Sequence, residues 1–129
     1  MTSAARTFKV SDIDYDELFD EDEYPSDYAL DVVSHFHGTP CQLVELITYL
    51  WRWKDLVQVR APWRGEVEVS LLTGGWSGNE SVISALDGTM FNLRWWETTK
   101  RGGLYVYKVR ADDWNSESNL GRFADLSSR

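Results

Sequence analysis

Two stretches in the first half of the chain repeat apolar residues at helical spacing. The first follows Pro25-Ser26, and we expect a helix over residues 26–37 that Gly38 ends by adopting a positive φ angle. The second opens at Thr39-Pro40, where a hydroxyl N-cap precedes a proline at the first helical position. The apolar stripe of this second helix is wide enough to be largely buried, and it comprises Leu43, Val44, Leu46, Ile47, Leu50, Trp51 and Trp53.

Strand patterns dominate the second half of the chain. Residues 56–60 and 66–71 alternate between apolar and polar side chains, as half-buried strands do. Two runs rich in aromatic and β-branched residues, 90–97 and 104–109, flank the polar, glycine-containing segment 98–103. This arrangement predicts an antiparallel β-hairpin.

A short third helix is predicted between these strand regions. Ser77-Gly78-Asn79-Glu80 has the spacing of a capping box, in which the serine hydroxyl and Glu80 satisfy free amides at the helix start. The helix then continues to Leu86, and Asp87-Gly88 ends it. Ahead of it, Gly74-Gly75 is expected to form a tight turn that packs Trp76 on the hairpin.

Together these elements predict an α+β fold, with two N-terminal helices packed on a small antiparallel sheet, a short third helix and a C-terminal β-hairpin. A length of 129 residues with 43% hydrophobic content suits one core. We expect a single α+β domain over 25–112, preceded by an acidic N-terminal arm at 1–24 and followed by a polar C-terminal tail at 113–129.

The sequence favours a cytoplasmic protein that has no contact with membranes. No run approaches the roughly 18 apolar residues of a membrane helix, and Met1 is not followed by the apolar stretch of a signal peptide. The single cysteine, Cys41, excludes an internal disulfide and has no CxxC partner. We therefore expect the fold to be stabilised by the packing of its side chains and not by a disulfide.

Charge is concentrated near the N-terminus. The net charge is −8, and ten acidic residues lie between residues 12 and 31, whereas acids and bases balance from residue 32 onward. Such a cluster either aids solubility or binds a basic partner. We expect Tyr15, Leu18 and Phe19 to anchor this segment on the domain or on a partner, while residues 20–23 remain solvated.

Several catalytic and metal motifs are incomplete. Around Ser77 a nucleophile elbow would need a glycine where Asn79 stands, and a histidine after the serine. The glycines at 74, 75 and 78 match neither the P-loop nor the dinucleotide fingerprint. His35 and His37 would point to nearly opposite faces of a helix, so they are poor candidates for a shared zinc ion. We therefore expect no catalytic residue, metal or cofactor.

The hairpin combines basic and aromatic side chains, a mixture that single-stranded nucleic-acid binders use for phosphate contacts and base stacking. Its residues of these kinds are Arg94, Trp95, Trp96, Lys100, Arg101, Tyr105, Tyr107, Lys108 and Arg110. The acidic arm on the same chain opposes that use unless it covers the hairpin. Direct nucleic-acid binding is therefore not expected.

Part of the chain resembles small uncharacterised proteins of tailed phages and prophages. The matching residues are Thr73 to Glu80, which read Thr-Gly-Gly-Trp-Ser-Gly-Asn-Glu, the pair Trp95-Trp96, and Arg101-Gly102-Gly103-Leu104-Tyr105. The resemblance covers residues 71–109 and leaves out the arm and the first two helices. It implies a phage or prophage origin, and hence the host cytoplasm, without implying an activity.

Three functions are consistent with these features. The first is a non-enzymatic binding protein that acts on a host protein with a basic surface, as an inhibitor or anti-defence factor. Its partner-binding residues would be the arm carboxylates Asp16, Glu17, Asp20, Glu21, Asp22 and Glu23. The second is an immunity-type inhibitor of a basic toxin or nuclease. The third is a small-ligand or enzymatic site on a loop and hairpin surface formed by Trp76, Asn79, Glu80, Trp95, Trp96 and Arg101.

Overall fold

The computed structural model describes residues 7–63 and 65–122. Within them the helices are α1 (Asp27–Ser34), α2 (Pro40–Leu50), α3 (Ser77–Leu86), α4 (Met90–Trp95) and α5 (Ala111–Trp114). The strands are β1 (His37–Gly38), β2 (Val57–Trp63), β3 (Glu66–Leu72), β4 (Trp96–Lys100), β5 (Leu104–Arg110) and β6 (Ser118–Asn119). Single 3₁₀ turns occupy Val10–Asp12, Tyr15–Glu17 and Lys54–Leu56. The predicted α+β class is confirmed.

The larger sheet has four antiparallel strands in the order β2-β3-β5-β4. Val69 lies opposite Tyr107, and Val67 opposite Val109, so these buried residues share one face. On the other face Glu68 lies opposite Lys108 and accepts a 2.7 Å hydrogen bond from Arg60. One face of the sheet is therefore apolar, and the other carries charged side chains together with the buried Val106.

One cluster of buried side chains joins helices α1 to α4 to the apolar face of the sheet. Trp51, Phe36 and Phe91 are among its largest members, each at most 1% exposed. Helix α1 packs chiefly on α3, whereas α4 lies against β5. Among the described residues, no helix has the length and apolar content that crossing a lipid bilayer requires.

The first predicted helix is too long at its C-terminus. Ser26 caps it as the sequence indicates, because its hydroxyl accepts from the Ala29 amide at 3.1 Å. The helix ends at Ser34, however, and Gly38 belongs to β1 without a positive φ angle. The chain becomes extended here because the Phe36 carbonyl accepts a 2.9 Å hydrogen bond from the Leu120 amide.

The predicted strand over 90–97 is also wrong. Thr89 caps a helix through a 3.2 Å hydrogen bond from the Asn92 amide, and helix α4 runs to Trp95 before β4 begins. Phe91 and Trp95, four residues apart, both face the core on this helix. The antiparallel pairing of β4 with β5 still forms the expected hairpin.

The predicted capping box at Ser77 is absent. Trp76 is the N-cap residue of α3, and no side chain caps this helix. Ser77 is instead the first helical residue, and the Glu80 amide donates to the Trp76 carbonyl at 3.1 Å. By contrast, the predicted cap of α2 is confirmed, since Thr39 and Gln42 form a reciprocal capping box.

The described residues after Asp112 pack on the rest of the fold. Ser118–Asn119 pairs with β1, and Leu120 is fully buried. The described chain up to Arg122 is therefore integrated with the fold, although the sequence places a polar tail from residue 113. Residues 123–129 of that tail lie outside the described residues, as do residues 1–6 of the arm.

Candidate functional site

The acidic segment is docked on the fold. Leu18 is fully buried, Phe8 is 5% exposed, and Ile13 packs against the core. The rings of Phe8 and Tyr28 meet edge to face, with centroids 5.7 Å apart. Leu18 is thus the apolar anchor that the sequence predicts for this segment.

A network of hydrogen bonds closes the most acidic part of the arm into a loop. The Ser26 amide donates to the Leu18 carbonyl at 2.9 Å, and the Asp20 amide to the Tyr24 carbonyl at 2.8 Å. The Asp20 carboxylate accepts from the amides of Asp22 and Tyr24, at 2.9 and 3.0 Å. Asp20 is exposed, yet its side chain shapes the loop. The neighbouring carboxylates are therefore displayed from a defined backbone.

Exposed aromatic rings lie beside this loop. Tyr15 and Phe19 pack on Tyr49 of α2, with ring centroids 5.5 and 5.7 Å apart. We use the name aromatic surface for five residues that are each 37–49% exposed: Tyr15, Phe19, Tyr24, Tyr49 and Trp53. Large, partly exposed aromatic residues are enriched where proteins bind one another.

A groove of about 370 Å³ continues the aromatic surface. Phe19 and Glu23 line it from the arm, Tyr49 and Trp53 from the end of α2, and Trp76 from the loop before α3. The Arg52 guanidinium also lines the groove, 4.2 Å from the centre of the Trp76 ring and 5.9 Å from that of Trp53. Arginine stacks favourably on aromatic faces in this way.

Unusual backbone conformations coincide with the groove. Within the described residues, Glu23 and Trp53 are the non-glycine residues with positive φ angles, 67° and 64°, and both line it. A bulky side chain such as tryptophan rarely adopts this conformation, which costs about 1–3 kcal/mol. Lys54 supports the turn, because its ammonium group donates to three carbonyls at the end of α2, each at 3.1 Å.

The glycine-rich loop positions Trp76 and Arg52. Gly74 and Gly75 have φ angles of 64° and 80°, which glycine adopts without steric cost. A side chain at Gly78 would collide with the Trp76 ring. The fully buried Asn79 accepts from the Arg52 amide at 2.9 Å and donates to the Arg52 carbonyl at 3.2 Å. The segment from Thr73 to Glu80 thus helps to build the groove.

The six arm carboxylates named above are all exposed beside the aromatic surface. The loop and hairpin residues, in contrast, are dispersed. Trp76 packs on Tyr24, at a centroid distance of 4.9 Å, and on Arg52, which corrects the expected contact with the hairpin. Trp95 is buried against Phe91. Glu80, Trp96 and Arg101 are exposed, and Asn79 is buried as described.

Most residues that line the groove are not among the sites predicted from sequence, including Tyr49, Arg52 and Trp53, and neither is the Tyr24 ring beside it. Tyr49 lies outside the apolar stripe of α2, a position that already indicates an exposed aromatic ring. The sequence pattern places Trp53 in the buried stripe, yet Trp53 is 49% exposed because α2 ends at Leu50. Arg52 gives no sequence signal of its own, since its stacking depends on Trp76.

Metal-binding side chains do not gather in the described part of the chain: no three His, Cys, Asp or Glu residues form a suitable group. His35 instead lies 3.1 Å from the Asp31 carboxylate within α1 and its C-cap. Comparison with protein-family models, with curated proteins and with solved structures gives no match to this chain.

Proposed function

We propose that this chain is a non-enzymatic binding protein that attaches its acidic arm and aromatic surface to a basic surface of another protein. The observation that carries the proposal is the packing of Tyr15 and Phe19 on Tyr49 directly beside the ordered carboxylate loop. Aromatic residues supply contact area at little entropic cost, and the carboxylates supply steering and selectivity for a basic partner.

The shape of the arm supports this proposal over a role in solubility alone. A solubilising segment needs charge but no fixed conformation, whereas residues 18–26 are held by Leu18 in the core and by the Asp20 hydrogen bonds. A partner that binds a pre-shaped loop loses less conformational entropy on association. The resemblance to phage proteins makes a bacterial host protein the expected partner.

Affinity capture from bacterial lysate tests the proposal with two variants of equal charge. The arm variant carries Glu17, Glu21, Asp22 and Glu23→Lys, and it spares Asp20 because that side chain shapes the loop. The control variant carries Glu66, Glu97, Asp112 and Glu117→Lys, four exposed positions outside the arm. We expect wild type and control to retain the same basic protein and the arm variant to lose it.

Binding kinetics with the retained protein then separate the contribution of the arm charges from that of the aromatic contacts. The arm variant should slow association strongly at low salt and much less at high salt, because exposed charges are screened beyond about 10 Å at 0.1 M. Tyr49→Ala should speed dissociation, with the exposed Leu93→Ala as its control. Capture of the same proteins by all variants, or of none by wild type, would contradict the proposal.

A further inference from the structure

A second concave site lies between α3, α4 and the hairpin, away from the aromatic surface. It is a cavity of about 440 Å³, a size within the range of small-molecule sites. Trp96, 49% exposed, provides a flat wall, and its indole N–H is held by the Thr99 hydroxyl at 2.8 Å. Ile83 supplies an apolar side chain.

Tyr107 gives this cavity an unsatisfied polar group. Its side chain lines the cavity and is largely buried, with 1% of its surface accessible. Within residues 7–63 and 65–122, its hydroxyl makes no hydrogen bond. A buried hydroxyl without a partner costs about 1–3 kcal/mol, and buried polar groups are normally satisfied. A ligand in the cavity that carries an acceptor would supply this hydrogen bond.

Further polar side chains converge on the same space. Asp87 lines it as an acceptor, Asn92 as a donor and acceptor, and Tyr105 as a second phenol. None of these three side chains makes a hydrogen bond to another group in the described part of the chain. Lysine and arginine are missing from the described residues that line the cavity.

We propose that this cavity binds an uncharged, amino-substituted aromatic heterocycle, the chemical class that includes nucleobases and nucleosides. Such a ring stacks on an indole face. Its N–H groups suit the Asp87 carboxylate, and an amide such as Asn92 can read a neighbouring donor and acceptor pair. A phosphate would instead meet Asp87 without a compensating cation. The site is independent of the proposed protein partner.

Tyr107 is suited to donate in this site. Burial, and then the nearby Tyr105 and Asp87, raise the pKa of its hydroxyl above the ordinary value. The hydroxyl therefore keeps its proton throughout the neutral range and remains a donor. An acceptor on the ligand, such as a ring nitrogen or carbonyl, would satisfy it.

Nuclear magnetic resonance titration of the full ¹⁵N-labelled chain tests this proposal. The probes are adenosine, cytidine, uridine, adenosine monophosphate and methyl glucoside. We expect adenosine or cytidine to shift the Trp96 indole N–H signal, with weaker binding of uridine, which lacks an exocyclic amine. Adenosine monophosphate should bind about tenfold less tightly than adenosine, because its charge approaches an acidic site without a cation.

Variants separate binding from folding. Tyr107→Phe removes a hydroxyl that makes no hydrogen bond among the described residues, so the melting temperature of this variant should equal or exceed that of wild type while nucleoside affinity falls about tenfold. Trp96→Ala removes the stacking wall together with its indole signal, so binding is read from the backbone amide signals of Asp87 and Asn92, whose nucleoside shifts should disappear. Trp53→Ala is its matched control, because Trp53 is equally exposed but lies in the other groove.

Four results would overturn the proposal. These are the lack of any nucleoside shift up to the solubility limit, equal binding of the nucleoside and its phosphate, a preference for methyl glucoside, and unchanged affinity in Tyr107→Phe. Because Trp53→Ala should weaken only protein capture, failure of this site is distinguishable from failure of the proposed partner binding.

Discussion

Asn79 pairs with the backbone of Arg52 in the manner of a neighbouring strand, although the two residues are 27 positions apart. Its amide oxygen accepts from the Arg52 N–H at 2.9 Å, and its amide nitrogen donates to the Arg52 carbonyl at 3.2 Å. The same nitrogen donates to the Thr73 carbonyl at 3.1 Å. One buried side chain thus fixes the turn after α2 to the glycine-rich loop.

Replacing this side chain should destabilise the protein and disturb the groove. Asn79→Ala leaves the Arg52 amide and two carbonyls without their partner, and we expect a loss of at least about 2 kcal/mol. Chemical denaturation measures the loss, with the exposed Asn115→Ala as control. Equal stability of the two variants would mean that the Asn79 hydrogen bonds do not stabilise the fold.

Alanine substitution should destabilise the start of α2 but not the start of α3. Thr39→Ala should lower the free energy of unfolding by about 1 kcal/mol, because the Thr39 hydroxyl accepts from the Gln42 amide at 3.0 Å. Ser77→Ala should have almost no effect, since Ser77 is inside α3 and caps nothing. Thermal unfolding of both variants checks this difference. A larger loss of stability for Ser77→Ala than for Thr39→Ala would show that Ser77 caps α3, as the sequence predicts.

Leu18 should determine whether the arm stays docked. Truncation of this fully buried side chain in Leu18→Ala leaves a cavity beneath the acidic loop, at a cost of about 2–5 kcal/mol. Limited proteolysis should then cut the arm sooner than in wild type. Val10→Ala is the control, because Val10 belongs to the same segment but is 38% exposed. Equal cleavage rates would show that Leu18 does not hold the arm.

Cys41 should react slowly with alkylating reagents. Burial, and then the Glu45 carboxylate 3.9 Å from the sulfur, raise the pKa of its thiol above the ordinary value. Less of the reactive thiolate is therefore present at pH 8, and half-maximal reactivity moves to higher pH. Iodoacetamide should modify the folded chain more slowly than the urea-unfolded chain, and Glu45→Gln should react faster. Equal folded and unfolded rates would contradict this account.

Local chemistry explains where prediction from sequence works. The start of α2 follows from Thr39-Pro40, because cap hydroxyl and proline act within one turn of the chain. Alternation likewise predicts β3, whose buried residues all lie on one side. For α4 the Thr89 hydroxyl and the spacing of Phe91 and Trp95 favour a helix, whereas the β propensity of the aromatic run favours a strand. The local helix signals outweigh that propensity in the structure.

Prediction from sequence fails where a feature depends on contacts between distant segments of the chain. The end of α1 depends on backbone pairing of Phe36 with Leu120, and neither residue alone indicates it. The arm anchors could be proposed from local spacing, and Leu18 is buried accordingly. The groove could not, because it requires Arg52 and Trp76, from different loops, to stack.

The meeting of Phe8, Phe36 and Leu120 also bears on how the chain is made. Phe8 donates to the His35 carbonyl and accepts from the His37 amide, while Leu120 donates to the Phe36 carbonyl on the same segment. Pairings between such distant residues form slowly, because long loops must close first. During synthesis the backbone pairing of residues 35–37 is therefore incomplete until Leu120 has left the ribosome. Until then the Phe36 carbonyl lacks its native donor and is open to pairing with other backbone amides.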